Sequence, residues 1–438
     1  MSWLRRRLQA IAGPLAGASI AVAFSGGADS VALLAALATL RRPLRLRLRA
    51  LHVNHHLQAS ADRWAREARQ QAARLRVPAR VLNVEVAITR GASVEAAARR
   101  ARYAALAQAL KPGEWLLTAH HREDQFETLL LQLLRGAGLA GLAAMPERSA
   151  FAAGWLLRPL LPMAREELRA YLRRRRLGWS EDPSNADERF DRNYLRRQIL
   201  PRLEARWPAA AVTAGRAARH AAEAQQLLDE WADAQLVDVL DGEALQVPAL
   251  RRLMLPARRL LLRRWLRRRG LVPPDQVRLQ EIAVGMLAAR HDAAPAVRWD
   301  QAEVLRHGGH LYAHRPLPPP PLPQSWSWRR EHWRQLPGAG RIGLVRDAHG
   351  PVQLDALPAR FELRFRSGGE RLPGAAGRGT LKDLLQQSGL PPWRRARLPL
   401  LYAGERLLAV ADLWLAPELQ ASAQSKHRAR LLWEAAAD

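Results

Sequence analysis

The segment Ser25–Ser30 follows the apolar run Ile20–Phe24 and precedes a second apolar run that begins at Val31. This order predicts a strand, a glycine-containing turn and a helix. Such a turn directs consecutive backbone N–H groups and a helix N-terminus at one point, where an anion is stabilised. Gly26 and Gly27 allow close approach of the main chain because they lack Cβ atoms. The segment is therefore predicted to bind phosphate.

The same segment carries polar side chains that suit a phosphate site. Ser25 and Ser30 supply hydroxyl donors, and Asp29 is a candidate magnesium ligand beside the phosphates. The alternative is an ordinary tight turn with a helix cap. The strand pattern before the turn and the helix pattern after it favour the functional interpretation.

Other nucleotide-binding patterns are absent or lack the right context. The chain contains no G-x-x-x-x-G-K-[ST] string. Two G-x-G-x-x-G strings occur, at Gly136–Gly141 and Gly338–Gly343. The first follows a helical pattern and the second a Trp- and Arg-rich stretch, so neither has the strand–turn–helix context of a dinucleotide site.

Charge and composition narrow the class of protein. The 438 residues include 69 Lys and Arg against 41 Asp and Glu, a net charge of +28. This surplus favours a polyanionic partner, with nucleic acid as the first candidate, although a generally basic surface is the alternative. The absence of cysteine excludes disulfides, thiolate zinc sites and thiol nucleophiles. No signal-like or membrane-spanning apolar stretch is found, so we expect a cytoplasmic protein without a membrane partner.

Strand-like and helix-like patterns alternate over the first 135 residues. The predicted strands are Ser19–Phe24, Leu46–Val53, Arg80–Val86 and Trp115–Ala119, and the predicted helices between them are Asp29–Leu40, Ala61–Leu75 and Val94–Leu110. Such alternation is typical of a parallel sheet, whose ligands bind beyond the carboxyl ends of the strands. We therefore expect the ends of three strands, including Val53, His55 and His120, to converge on one crevice.

After Gly141 the pattern becomes helical and rich in arginine. Helices are predicted at Arg165–Leu177, Asn193–Trp207, Arg251–Arg269 and Leu381–Gln387, and six prolines between Pro316 and Pro323 predict a stiff linker. The predicted domains are 1–208, a helical domain 209–315, a Pro-rich linker 316–339 and a C-terminal domain 340–438. The fold class is α/β, with a Rossmann-like parallel sheet followed by a helical domain and a small mixed α+β domain.

Three further clusters carry charged groups and are ambiguous when taken singly. In Thr118–Thr128, Asp124 and Glu127 share a helix face, where they would serve a nucleophilic amine, a magnesium ion or merely the helix dipole. A zinc site is disfavoured because His-His-x-x-Asp is not a standard ligand spacing. Arg99 and Arg102 alone suggest a solvated basic face, and turn chemistry explains much of the stretch Glu181–Arg196.

In their order along the chain, these segments resemble the tRNA(Ile)-lysidine synthetase family of the ATP-pyrophosphatase (PP-loop) superfamily. The resemblance rests on S-G-G-A-D-S at 25–30, H-V-N-H-H-L at 52–57, A-R-R-A-R-Y at 98–103, T-A-H-H-R-E-D-Q-F-E-T at 118–128, E-D-P-S-N-A-D at 181–187 and R-N-Y-L-R at 192–196. R-S-G-G-E-R at 366–371, L-K-D-L-L at 381–385 and P-P-W-R-R at 391–395 resemble the last domain of that family. Glu123 departs from it, since the family more often has Asp there.

The resemblance implies that 1–208 is the catalytic domain and that the domains at 209–315 and 340–438 bind tRNA. ATP would adenylate the ring carbonyl oxygen of the wobble cytidine in the CAU anticodon of an isoleucine tRNA, and the ε-amine of L-lysine would displace AMP. Decoding would change from AUG to AUA. The implied catalytic residues are Asp29, Arg102, Asp124, Glu127 and Arg196, with Asp29 also holding Mg²⁺. The implied ATP-binding residues are Ser25, Gly26, Gly27, Ala28, Asp29, Ser30, Val53, His55, Arg99 and His120.

Alternatives remain at this point. A tRNA-thiolating PP-loop enzyme or a glutamine-dependent amidotransferase would share the loop, but both generally depend on cysteine, which this chain lacks. A non-catalytic RNA-binding protein is the alternative of a different class, and the intact loop and acidic pair argue against it. The oligomeric state is open, with a dimer as one option.

Overall fold

The computed structural model describes residues 2–58, 60–87, 94–181, 187–290, 293–300, 302–329, 332–370, 372, 380–422 and 424–435. The chain divides into two compact units, Met1–Leu227 and Leu228–Asp438. Among the described residues, no helix combines the length and the apolar character that crossing a membrane requires.

The N-terminal unit is built on a six-stranded sheet. Its strands are β1 (Ser19–Ala23), β2 (Arg47–Asn54), β3 (Ala79–Asn83), β4 (Trp115–Leu117), β5 (Arg148–Phe151) and β6 (Gly154–Leu157). The order across the sheet is β3-β2-β1-β4-β6-β5, and every neighbouring pair is parallel except β5 and β6. The predicted parallel sheet is confirmed, and the hairpin of β5 and β6 is an addition to it.

Helices cover both faces of this sheet. The helices that begin in this unit are α1 (Ser2–Ala12), α2 (Ala28–Leu40), α3 (Ala61–Arg74), α4 (Val94–Ala109), α5 (Arg122–Leu134), α6 (Leu139–Leu142), α7 (Arg165–Arg174), α8 (Asp191–Tyr194), α9 (Leu200–Arg206) and α10 (Ala210–Val239), which continues past the division between the units. On one face, α2 and α7 share a core that includes Leu33 and Leu168. On the other face, Leu106 of α4 packs with Ala21 and Leu51.

One predicted helix is not continuous. The sequence pattern predicts a single helix over Asn193–Trp207, but a π-helical turn at Leu195–Ile199 separates α8 from α9. Leu200, directly after this turn, is buried against Phe126 of α5. The wider turn therefore adjusts the register between the residues before it and the residues that pack on α5 after it.

The C-terminal unit contains three antiparallel sheets. Its strands are β7 (Leu240–Asp241), β8 (Ala244–Gln246), β9 (Ala296–Trp299), β10 (Ala302–His307), β11 (His310–His314), β12 (Gln324–Trp326), β13 (Trp333–Leu336), β14 (Gly340–Arg346), β15 (Val352–Gln353), β16 (Phe361–Phe365), β17 (Pro399–Ala403), β18 (Arg406–Val410), β19 (Trp414–Leu415) and β20 (Arg428–Glu434). The sheet orders are β7-β8-β11-β10-β9, β12-β16-β17-β18-β19 and β13-β14-β20-β15. Its other helices are α11 (Val247–Arg251), α12 (Leu255–Arg268), α13 (Gln276–Gln280), α14 (Leu381–Gln387) and α15 (Pro392–Arg395), with a π turn at Glu281–Met286.

The sequence predictions for this half need three corrections. The middle region is helical as expected, but it also contains the sheet of β7 to β11. The predicted helix Arg251–Arg269 is interrupted before Leu255, because Pro256 has no N–H to donate and its ring would clash with the carbonyl of Arg252 in a continuous helix. The predicted linker 316–339 includes β12 and β13, so regular structure resumes directly after the proline run.

Candidate active site

The predicted phosphate loop joins β1 to α2, and its own hydroxyl groups fix its shape. Gly26 has φ +86°, a conformation that glycine adopts without strain. Ser30 Oγ accepts the Gly26 N–H at 3.1 Å and donates to the Gly27 carbonyl at 2.9 Å. Ser25 Oγ accepts the Gly27 N–H at 3.2 Å. No described side chain caps the N-terminus of α2, so its first amide groups are available to an anion.

Two adjoining cavities open at the carboxyl ends of the strands. The main cavity has a volume of about 640 Å³ and the second about 460 Å³. Ser25, Gly27 and Arg102 line both cavities. The main cavity is also lined by Ala28, Asp29, Ser30, Arg99, His120, Asp124, Arg165, Arg169, Trp179, Arg196 and Arg197, and the second by Val53, His55 and Trp64. The convergence expected from the parallel sheet is therefore present.

Behind the main cavity, two acids of α5 bind two arginines of the α8 and π-turn region. Arg196 donates to Asp124 at 3.0 Å and to both carboxylate oxygens of Glu127 at 2.7 and 2.9 Å. Arg192 donates to Glu127 at 2.9 Å. Glu127 is fully buried and does not line the cavity, whereas Asp124 and Arg196 do. A direct contact between Glu127 and a substrate amine would require an arginine to release one of these oxygens.

His121, to which the sequence analysis assigned no role, lies at the centre of the acidic groups. Its side chain is 1% exposed, and Nδ1 lies 2.9 Å from a Glu123 oxygen. Nε2 lies 3.4 Å from Asp124 and 3.6 Å from Asp29. Burial alone would lower the pKa of His121, but the bonds to Asp29 and Glu123 and the charge of Asp124 raise that pKa to about 10. His121 is therefore an imidazolium at neutral pH and neutralises part of the acidic charge.

The longer side chain of Glu123 reaches a second helix. Besides contacting His121, its carboxylate accepts the backbone N–H of Arg165 at 3.0 Å, at the N-terminus of α7. Burial acts to raise the pKa of Glu123, but the bond to His121 outweighs it, so the pKa is lowered. Glu123 is thus a charged group that links α5 to α7.

Two other histidines are neutral under the same conditions. Burial lowers the pKa of His120 to about 3, and the neighbouring arginines add to this effect. Burial and the charge of Arg102 lower the pKa of His55 to about 4, and Arg102 Nε donates to His55 Nε2 at 3.3 Å. For Asp124, burial opposes ionisation, but the charges of His121, Arg192 and Arg196 lower its pKa. The cavity therefore presents neutral imidazoles and an ionised carboxylate.

Asp29 has the surroundings of a magnesium ligand. One oxygen of its carboxylate is buried and has no hydrogen-bond partner among the described residues. Mg²⁺ is commonly held by one or two carboxylates together with phosphate oxygens and water. The described residues include no group of three or more His, Asp or Glu side chains that would enclose a metal ion by themselves. Asp29 beside a phosphate-binding loop therefore fits Mg²⁺ that arrives with a nucleotide.

The structure brings most of the predicted site residues together. Gly26 shapes the loop without lining either cavity, and Glu127 lies behind Arg196. The predicted residues 182–185 lie outside the described residues. The sequence analysis assigned no role to His121, Arg192, Arg165 or Arg169. His121 belongs to the His-His pair directly before the acids, and Arg192 opens the string R-N-Y-L-R, so both had a local signal. No local signal marked Arg165 or Arg169.

Similarity to known proteins covers most of the chain. Residues 2–203 match a PP-loop domain, 245–312 a TilS substrate binding domain and 361–433 a TilS substrate C-terminal domain. The tRNA(Ile)-lysidine synthase of Methylococcus capsulatus is 42% identical over 92% of this chain and 93% of its own. That of Alkalilimnicola ehrlichii is 43% identical over 94% and 93%. A solved structure, the U34-tRNA thiolase NcsA from Methanococcus maripaludis, covers 50% of this chain and 77% of its own at 14% identity and a TM-score of 0.42, too weak a likeness for a functional inference.

Proposed function

This chain belongs to the tRNA(Ile)-lysidine synthase family, and we propose that it ligates L-lysine to the wobble cytidine of an isoleucine tRNA with a CAU anticodon. It is an ATP-using enzyme of tRNA modification. The observation that carries the proposal is the composition of the main cavity. Its lining combines the uncapped N-terminus of α2, Asp29, and the pair of Asp124 and Arg196. Because the proposed substrate is a tRNA, we infer that the enzyme acts in the cytoplasm.

The first step would use the phosphate loop. Adenosine would occupy the second cavity beside Val53 and His55, and the phosphates would lie at Ser25–Ser30. The cytosine ring carbonyl oxygen attacks the α-phosphorus, a new phosphorus–oxygen bond forms and pyrophosphate leaves. Mg²⁺ held by Asp29 would offset the charge of the phosphates. Arg99 and Arg102 line the main cavity and would stabilise charge that develops on the phosphates.

The second step would use the acids of α5. The ε-amine of lysine attacks the activated ring carbon, a carbon–nitrogen bond forms and AMP leaves with the former carbonyl oxygen. Asp124 is ionised and would accept a hydrogen bond from the ε-amine, which must be unprotonated to attack. Because its low pKa makes it a weak base, it would accept a proton only after attack, when the nitrogen has become acidic. Arg196 would position Asp124, and Glu127 would hold Arg196 in place.

A single assay tests this proposal. The full chain is incubated with ATP, an unmodified isoleucine tRNA transcript with a CAU anticodon, and one amino acid at a time. We expect AMP and pyrophosphate release that requires both the tRNA and lysine, and mass spectrometry of the nucleosides should show a cytidine enlarged by lysine. Methionine tRNA with the same anticodon is the matched control. Release that is independent of lysine, or a product without lysine, would exclude the proposed reaction.

A further inference from the structure

Two arginines of α7 line the main cavity without a role in the steps above. Arg165 and Arg169 are four residues apart, and both contribute to the cavity wall. Residues at this spacing lie one above the other on the same face of a helix. The two guanidinium groups therefore form a pair on one wall of the cavity.

This pair is carried by a helix on the opposite face of the sheet from the helix that carries Arg99 and Arg102. Helix α7 packs with α2 on one face, through Leu168 and Leu172. Helix α4, which carries Arg99 and Arg102, packs on the opposite face. The cavity at the carboxyl ends of the strands is thus bounded by arginines from both faces of the sheet. A ligand with phosphate groups on two sides fits this arrangement better than one with a single phosphate chain.

Among the described residues, few groups engage the two guanidinium groups. The Arg165 side chain has no hydrogen bond or ion pair with any described residue, and Arg169 has only a contact of 3.9 Å with Glu181 among them. The Nε atom of each is buried and lacks a hydrogen-bond partner among the described residues. A buried, unpaired N–H group of a charged side chain is costly. An anionic ligand would relieve that cost.

Two amide groups at the N-terminus of α7 already bind carboxylates, so the arginine side chains would carry the binding. Glu123 accepts the N–H of Arg165, and Glu167 accepts the N–H of Ala164 at 2.7 Å. Arginine binds phosphate through two parallel N–H bonds, which suits paired side chains on a cavity wall. The ligand chemistry is therefore phosphate.

We propose that Arg165 and Arg169 bind a backbone phosphate of the RNA next to the base that reacts. The inference rests on the proposed function and adds a contact to it. Neither arginine lines the second cavity, where adenosine would lie, and the loop Ser25–Ser30 already serves the phosphates of ATP. Trp179 lines the main cavity beside them and offers an aromatic surface to a neighbouring base.

The test uses the full chain with Arg165→Gln and Arg169→Gln combined, and Arg174→Gln as the matched control. Arg174 lies on the same helix but is exposed and outside the cavity. Binding of an unmodified anticodon stem-loop hairpin with CAU is measured over a series of salt concentrations, and binding of ATP and pyrophosphate is measured in parallel. Circular dichroism and the thermal midpoint verify folding, and the single variants replace the double variant if it does not fold.

We expect roughly tenfold weaker hairpin binding, since charge-assisted bonds to the RNA are removed. The negative slope of log affinity against log salt concentration should become less steep, by about 0.7 to 0.9 for each phosphate that the variant no longer binds. Affinity for ATP and pyrophosphate should not change, and Arg174→Gln should behave as the wild type. Unchanged hairpin binding, or a weakening confined to ATP or pyrophosphate, would overturn the inference. Failure of the wild-type chain to release AMP with tRNA and lysine would instead refute the proposed function.

Discussion

The two units differ most in where they bury polar groups. Of the twelve described polar or charged residues that are buried, nine belong to the N-terminal unit, and several of them surround the cavity. The three in the C-terminal unit are Glu303, Arg306 and His314. Arg306 donates to backbone carbonyls of Met286 and Ala289, both at 2.7 Å, which satisfies it internally. Buried charge is costly and is concentrated where it can bind or react.

The distribution of net charge adds to this contrast. The N-terminal unit has 37 basic and 19 acidic residues, and the C-terminal unit has 32 and 22. The basic regions after residue 209 remain available to bind tRNA, but the larger surplus belongs to the unit that contains the cavity. We therefore expect the catalytic unit to contribute much of the attraction to RNA, and the C-terminal unit to contribute selectivity.

The largest effect is expected at Asp29. Asp29→Asn should reduce lysine-dependent pyrophosphate release roughly 1000-fold, because it removes the charge that would hold Mg²⁺ beside the phosphates. Asp191→Asn is the matched control, since Asp191 is exposed and does not line the cavity. Steady-state release is measured for both, with circular dichroism to verify folding. Unchanged turnover of a folded Asp29→Asn variant would remove Asp29 from the mechanism.

Glu127 tests whether a residue behind the cavity wall controls the substrate. Glu127→Gln should raise the KM for lysine roughly 10- to 100-fold, because Arg196 would lose its strongest partner and no longer fix Asp124. The KM for ATP should change little. Glu166→Gln, which removes an exposed partner of Arg173, is the control. An effect confined to ATP would place the acidic pair on magnesium or phosphate.

Removal of the C-terminal unit tests how the two units share tRNA binding and selectivity. A chain of residues 1–227 retains the core between α5 and the start of α10, so it should fold and bind ATP. We expect roughly tenfold weaker binding of full-length tRNA, a shallower salt slope and poor modification, because the shortened chain binds fewer phosphates. Binding of the anticodon stem-loop should be retained. Full tRNA affinity and selectivity of the shortened chain would show the C-terminal unit to be dispensable.

The smallest effect is expected from an ion pair of the C-terminal unit. Arg264 of α12 bonds to Asp229 and Asp233 of α10, and all three side chains are partly exposed. Arg264→Gln should lower the free energy of unfolding by less than about 1 kcal/mol, since solvent screens such pairs. Urea denaturation measures this, and AMP release should equal that of the wild type. A large fall in activity would show that catalysis depends on packing in this unit.

Local pattern and strand order were enough to predict some features. The strand, loop and helix around Ser25–Ser30 follow from a short run of residues. The meeting of Asp29, Val53 and His120 follows from the rule that parallel strands end at one edge of a sheet. Neither the loop nor the convergence of the strand ends required knowledge of side-chain conformation.

Contacts between distant segments could not be predicted in this way. Glu127 and Arg196 are separated by 69 positions, and nothing in either local pattern specifies that they pair. The place of Arg165 depends on how α7 packs beside α2, which the amphipathic pattern of one helix does not determine. Strand β10 of the sheet β7 to β11 was missed because five of its six residues are buried, so its sequence lacks the alternation of a half-exposed strand.

The π turn at Leu195–Ile199 contains one residue more than the α-helical turn that it replaces. Deleting one residue after Arg196 within this turn would therefore restore an ordinary α-helical turn. Leu200 would stay against Phe126, and Arg196 would stay against Asp124 and Glu127. The same deletion in an α-helical turn would instead rotate everything that follows by about 100°. The chain thus carries one residue here that the packing on either side does not require.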